Sequence, residues 1–258
     1  GTIDDFLITS MASQLDSLTY LNEGSTRRKE ILAKFLDLEL FDKKYVFVDK
    51  SDKELPPGYE VVYYDTDTKY QEQFTSCIGD VSEKYCVYIS EDYILYENIR
   101  DDLIKEYSTS LDNNPTISFI RFMKGGIVDV GFPPYRHYKD LFELSNVLPY
   151  FYTNQAALWR TRDLEKIHHD GPNLHIGNED WENSFEFQAT KTCQELGIKG
   201  LYCYYNEKKR GLYHYDTIVF PHISTALIKG KWNVSEYPVE LGELLKVYNI
   251  DTSTRGEV

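Results

Sequence analysis

Basic charge is scarce in this chain. Its 258 residues carry 28 Lys and Arg against 42 Asp and Glu, a formal net charge of −14. Binding a nucleic-acid backbone or an anionic leaflet needs a basic footprint, so neither partner is expected. A phosphate-bearing small molecule stays open, because a metal or a local Lys/Arg cluster can supply the positive charge. Apolar runs of roughly 18 residues are missing, so no transmembrane helix is expected. A signal-peptide n- and h-region is missing too, and the expected localisation is cytoplasmic. The four cysteines, Cys77, Cys86, Cys193 and Cys203, form no CxxC pair and no zinc-ribbon spacing. They read as reduced, mostly buried thiols. Internal repeats, low-complexity tracts and an evident linker are also absent.

What is present is enough apolar material for a sizeable core. Hydrophobic residues make up 41% and aromatics 15%, which argues against disorder. The 22 tyrosines suit half-buried strands and also sugar-stacking surfaces. Periodicity predicts strands over 5–10, 45–48, 59–64, 85–89, 116–122, 201–205 and 217–220. It predicts helices over 27–38, 70–81, 94–107, 161–167, 180–196 and 241–248, with a loop over 168–177. Strand and helix alternate in the first half at βαβ spacing, so a parallel sheet is the natural architecture.

The run from Lys84 to Leu95 is the most informative. An apolar strand pattern ends in Ser90-Glu91-Asp92, and an apolar run then resumes. Ligands of open α/β sheets bind outside the carboxyl ends of strands, and carboxylates there can hold a hard cation such as Mg²⁺ or Mn²⁺. The alternative is a solvated acidic turn. Asp180, in Asn178-Glu179-Asp180, stands where a helix begins, and the macrodipole there keeps a carboxylate ionised and able to act as a base. Equally, Asn178 or Asp180 is an ordinary N-cap. His222 follows a predicted strand end, with His214 as the competing histidine, and the alternative for either is a hydrogen-bonded loop histidine. His168, His169, Asp170, His175 and Glu179 crowd one region that could hold Zn²⁺ for hydrolysis. No HExxH spacing is present, however, and adjacent histidines on regular structure point apart.

The order of these parts resembles a glycosyltransferase of the GT-A type across most of the chain. Val48-Asp49-Lys50-Ser51-Asp52 corresponds to the family's acidic loop, and Ser90-Glu91-Asp92 to its DxD motif. His175-Ile176-Gly177-Asn178-Glu179-Asp180-Trp181 looks like the Gly-loop and xED motif of inverting members. The resemblance implies an α/β, Rossmann-like, mixed and mostly parallel sheet flanked by helices in a single domain, 1–258. Residues 1–110 would bind the nucleotide sugar, and 111–258 would bind the acceptor and carry catalysis. Ser10, Asp49 and Glu91 would contact the donor, and Lys229 and Lys231 its diphosphate. Asp92 and His222 would hold Mn²⁺ or Mg²⁺. Asp180, with Glu179 beside it, would be the general base. Gln155 and Trp159 would line the pocket for a glycan or other hydroxyl acceptor. Ser90 departs from the pattern, replacing the first acid of DxD, which leaves a metal-independent variant open. Three rivals stand beside this reading. One is a catalytically inactive carbohydrate-binding module. Another is a metal-dependent hydrolase using the 168–175 histidines. The third is a nucleotidyltransferase, whose glycine-rich phosphate loop is not visible in 9–24.

Overall fold

In the computed structural model of the chain, the residues described are 5–10, 43–49, 58–90, 93–126, 133–136, 138–171, 184–228, 230–247, 250, 252–254 and 256–257. The strands are β1 (Asp5–Ser10), β2 (Lys43–Val48), β3 (Glu60–Tyr63), β4 (Tyr85–Ser90), β5 (Ile94–Leu95), β6 (Phe119–Arg121), β7 (Leu141–Leu144), β8 (Ala157–Arg160) and β9 (Gly200–Cys203). Short pieces follow: β10 (Lys209–Arg210), β11 (His214–Tyr215), β12 (His222–Ile223), β13 (Leu227–Ile228) and β14 (Lys231–Trp232). The helices are α1 (Tyr70–Gly79), α2 (Asp101–Asn113), α3 (Thr161–Asp170), α4 (Phe185–Glu195) and α5 (Glu240–Val247).

Eight strands form one sheet in the order β3-β2-β1-β4-β8-β6-β9-β7, drawn from both halves of the chain. β1 to β4 are mutually parallel. β8 runs against both β4 and β6, and β9 is parallel to β6. β1 to β4, β6 and β9 therefore all end at one edge of the sheet.

Both faces of the sheet are covered, which is why the central strands read as unbroken apolar runs. Tyr85, Val87 and Ile89 of β4 face a core with Ile104, Tyr107 and Leu111 of α2 and Leu241 and Leu245 of α5. The alternate residues, Cys86 and Tyr88, face α1, α3 and α4 through Phe74, Leu164, Ile167, Ala189 and Cys193. All four cysteines are buried free thiols.

Two expected elements are corrected. The helix expected over 94–107 is a two-residue strand, β5, followed by α2 from Asp101. β5 pairs antiparallel with β12, His222 opposite Leu95 and Ile223 opposite Ile94. The strand expected over 217–220 is irregular backbone. The Thr217 hydroxyl accepts the Val219 and Phe220 N–H groups, which diverts the chain from a ladder. In addition, α3 runs on to Asp170 through part of the expected 168–177 loop.

That extension places His168 on the buried stripe with Leu164 and Ile167. Its ring is 0% exposed and stacks on Phe74 with centroids 3.7 Å apart. Nε2 lies 3.0 Å from the Tyr152 hydroxyl, and Gln71 donates to the His168 carbonyl. Burial pushes its pKa down to about 3 from 6.5. Below the ordinary histidine pKa the unfolded chain binds a proton that the folded chain refuses. Stability is thus intact above about pH 6.5 and falls as pH drops toward the folded pKa, by up to about 1.4 kcal/mol per unit. The urea midpoint is expected to fall between about pH 7 and about pH 4.5, and His168→Phe to flatten that slope. Equal slopes in both proteins would exclude His168 as the source.

Candidate functional site

The strand register assembles the site at the shared carboxyl edge. Ser10, the last residue of β1, is level with Phe47 of β2 and with Ser90 of β4. Asp49, half-buried, lies two residues beyond Phe47 at the same edge. Tyr88 is opposite Ala157, so the segment that enters β8, Thr153 to Ala156, runs beside the end of β4. Glu91 and Asp92 lie outside the described residues, as do Glu179, Asp180 and Lys229.

Tyr93, the residue after Asp92, ties three elements together. Its hydroxyl donates to the Asn154 carbonyl at 2.7 Å. Its ring lies 4.8 Å from the His222 ring. The β5–β12 pairing thus carries His222 to the end of β4, across a long stretch of sequence. The Nδ1–H of His222 donates to the Phe220 carbonyl at 2.5 Å. A carbonyl only accepts, so Nδ1 carries the proton and Nε2 carries the lone pair. That Nε2 is buried with no hydrogen-bond partner among the described residues. Burial holds the imidazole neutral, down to about 4. An imidazole lone pair held this way is one a divalent cation can use. Among the described residues no group of three or more His, Cys, Asp or Glu comes together as a metal site.

The loop before β8 is polar and underused by the protein. Thr153 Oγ1, Asn154 Oδ1 and Gln155 Oε1 are all buried without a hydrogen-bond partner among the described residues. The Asn154 N–H donates to Glu186 Oε1 at 2.8 Å. Glu186 sits in the first turn of α4, whose N-cap Ser184 accepts the Phe187 N–H. Burial raises the Glu186 carboxyl above its ordinary pKa, opposed by the Asn154 N–H and the Arg121 charge. Arg121 ends β6, is 2% exposed, and donates from Nε to the Met123 carbonyl. Lys124, beyond it, lies 4.6 Å and 4.9 Å from the Tyr204 and Tyr215 ring centroids.

Of the residues expected at the site, Ser10, Asp49, Gln155 and His222 come to this edge. The helix expected from Asp180 is corrected: it begins at Phe185, with Ser184 in extended backbone (ψ 148°) as its N-cap, so the N-terminus of α4 is at Ser184 and not at Asp180. Trp159 does not reach the edge. It is 2% exposed, faces α3 and α4, and stacks on Phe119 at 4.1 Å, so a sugar finds no open ring face there. Lys231 is exposed on the separate β13–β14 hairpin, and its side chain makes no hydrogen bond or ion pair among the described residues. His214 is buried and bonds the Tyr237 hydroxyl at 2.6 Å and the Ser224 hydroxyl at 3.1 Å. His168 and His169 part company, the first in the core and the second exposed beside Asp170 at 2.8 Å; His175 lies outside the described residues. Sequence reasoning missed Tyr93, Asn154, Arg121 and Glu186. A charged residue inside an apolar strand, as in Phe119-Ile120-Arg121-Phe122, was the available signal for one of them.

No protein-family model and no curated protein matches the chain. Among solved structures it is similar to apo UDP-glucose pyrophosphorylase, at a TM-score of 0.51 and 5% identity over 95% of this chain and 98% of that one. It is similar to UDP-glucose pyrophosphorylase complexed with UDP-glucose at a TM-score of 0.50 and 7% identity, over 96% of this chain and 100% of that one. At such identities the likeness speaks for the fold alone. No helix among the described residues is long and apolar enough to cross a membrane. The chain has a mixed α/β, Rossmann-like fold of the GT-A type, with a central mixed sheet flanked by helices.

Proposed function

We propose that the protein is a glycosyltransferase that moves a sugar from a nucleotide-diphosphate sugar to a hydroxyl acceptor, with inversion. The β5–β12 pairing carries this reading. It brings an imidazole with an unused, buried lone pair to the residue that directly follows Ser90-Glu91-Asp92. Ser10, Asp49 and Glu91 bind the donor nucleotide, and Lys229 and Lys231 its diphosphate. Asp92 and His222 would hold Mn²⁺ or Mg²⁺, and the cation would supply positive charge that stabilises the leaving diphosphate. Asp180, with Glu179 beside it, takes the proton of the attacking hydroxyl. Gln155 Oε1, which has no donor among the described residues, accepts from a sugar hydroxyl.

Thermal-shift screening with a panel of nucleotide-diphosphate sugars, with and without Mn²⁺, tests this. A ligand at about 100 times its Kd stabilises by about 2.7 kcal/mol. At this chain length that is several degrees, at roughly 2–4 °C per kcal/mol. The expected result is a Mn²⁺-dependent shift with one nucleotide that Asp92→Ala abolishes. A shift independent of both would make the donor site metal-free. No shift with any nucleotide would sink the reading. Pyrophosphate release from a nucleoside triphosphate and a sugar 1-phosphate would replace it with nucleotidyl transfer.

A further inference from the structure

A second cleft, of about 650 Å³, lies on the α2 side of the sheet where β7 and β9 meet. Leu141 of β7 is opposite Cys203 of β9, so Asp140 and Tyr205 straddle the carboxyl end of β9. The Tyr204 N–H donates to the Asp140 carbonyl at 3.0 Å and fixes that junction. β9 is three strands from β4 in the sheet. At about 4.8 Å per strand the cleft begins about 14 Å from the Ser90 end of β4, on the same edge.

Its walls are two braced tyrosines. The Tyr205 hydroxyl bonds the buried Tyr107 hydroxyl at 2.8 Å, and its N–H donates to Glu207 at 2.6 Å. Tyr138 stacks on Tyr135 at an interplanar angle of 11°, and Tyr135 in turn donates to Asn114 at 3.1 Å. Rings held this way lose little freedom when a ligand packs on them. The rim is mixed in charge. Lys105, Lys139, Glu106 and Asp140 line it, and Lys105 already pairs with Asp101 at 3.2 Å. Two cations against two carboxylates in the lining, with one cation already paired to Asp101, offer no net field for a phosphate. They do offer acceptors and donors side by side, which suits hydroxyls, since each hydroxyl both donates and accepts. The volume is that of a small-molecule site, about 300–1,000 Å³.

We infer that this cleft binds an uncharged oligosaccharide, the far end of the acceptor glycan whose near end reacts at the β4 edge. Aromatic walls take the apolar faces of the sugar rings, and the charged rim takes their hydroxyls. The identity of the occupant rests on the transferase reading; the ligand chemistry rests on the cleft itself.

The experiment titrates the whole chain, without nucleotide, with maltotriose, cellotriose and triacetylchitotriose, followed by saturation-transfer NMR and calorimetry. One of the three is expected to bind saturably. Tyr138→Ala and Thr109→Trp, which puts a large ring into the cleft from the exposed side of α2, are each expected to weaken it at least tenfold. Melting temperatures of the free variants check folding, and both are expected to keep the wild-type thermal shift with nucleotide sugar. If none of the trisaccharides binds, or if both folded variants bind as wild type does, the assignment is overturned. Trisaccharide binding with no nucleotide response would keep the cleft and sink the transferase reading. The converse would sink the cleft alone.

Discussion

Asp180→Asn is expected to lower kcat by a factor of about 10²–10⁴, the range of a lost general base, while leaving nucleotide-sugar binding unchanged. Asparagine keeps the shape and loses the proton acceptor, so donor affinity and catalysis separate. Glu186→Gln is the informative companion. Glu186 is a carboxylate close to the β4 edge through its bond to the Asn154 N–H, and burial raises its pKa above the ordinary value. Its Oε1, however, is occupied by the Asn154 N–H. A glutamine Oε1 accepts the same hydrogen bond, so the loop before β8 stays anchored and kcat is expected to fall by less than about tenfold. If the two effects come out reversed, the base is Glu186. Asp180 would then carry no proton in the reaction. Steady-state kinetics with a saturating acceptor and a pH–rate profile for each variant make the comparison.

Trp159→Ala is expected to cost about 3–5 kcal/mol of folding stability, read as a lower denaturant midpoint with an unchanged m-value. The indole is sealed between Phe119 and Tyr152, with ring centroids at 4.1 Å and 5.7 Å. Phe119 cannot follow into the space left behind. It meets Phe151 edge-on at 5.3 Å and lies over Gly200, its partner across β6 and β9, where any Cβ would overlap the ring. Removing the indole therefore leaves a cavity in the middle of the sheet's α3/α4 face. Trp159→Phe, which keeps an aromatic ring, is expected to cost less and to leave the acceptor KM unchanged. A raised KM without lost stability would return Trp159 to the acceptor pocket.

The parts of the fold that were legible in the sequence are those fixed by local pattern. β4 could be read because both its faces are buried, so Tyr85 to Ile89 is apolar throughout. α4 could be read because Ala189 and Cys193 repeat at helical spacing. β5 could not, because Ile94-Leu95 is a strand only by virtue of a partner at 222–223. No window around residue 94 contains that information. Asp101 and Asp102, acids in the first turn, did mark where α2 starts, and the apolar Ile94-Leu95 drew the expected boundary away from them. His222 was legible as a residue type suited to a metal. What recommends it physically, an Nδ1 proton committed to Phe220 and a lone pair left over, exists only once the chain has folded. Glu186 was missed because its burial comes from α4 meeting the loop before β8, a contact between distant segments.

The β5–β12 pairing also sets an order of events in the life of the chain. Positions 95 and 222 must meet across more than half of the described sequence, and closing so long a loop is slow compared with making the helices and neighbouring parallel strands. During synthesis, β1 to β4 can leave the ribosome and pair well before residue 222 exists. A nascent chain thus carries the Ser90 end of β4 without its imidazole, and the edge gains His222 only after residue 223 has been translated and docked.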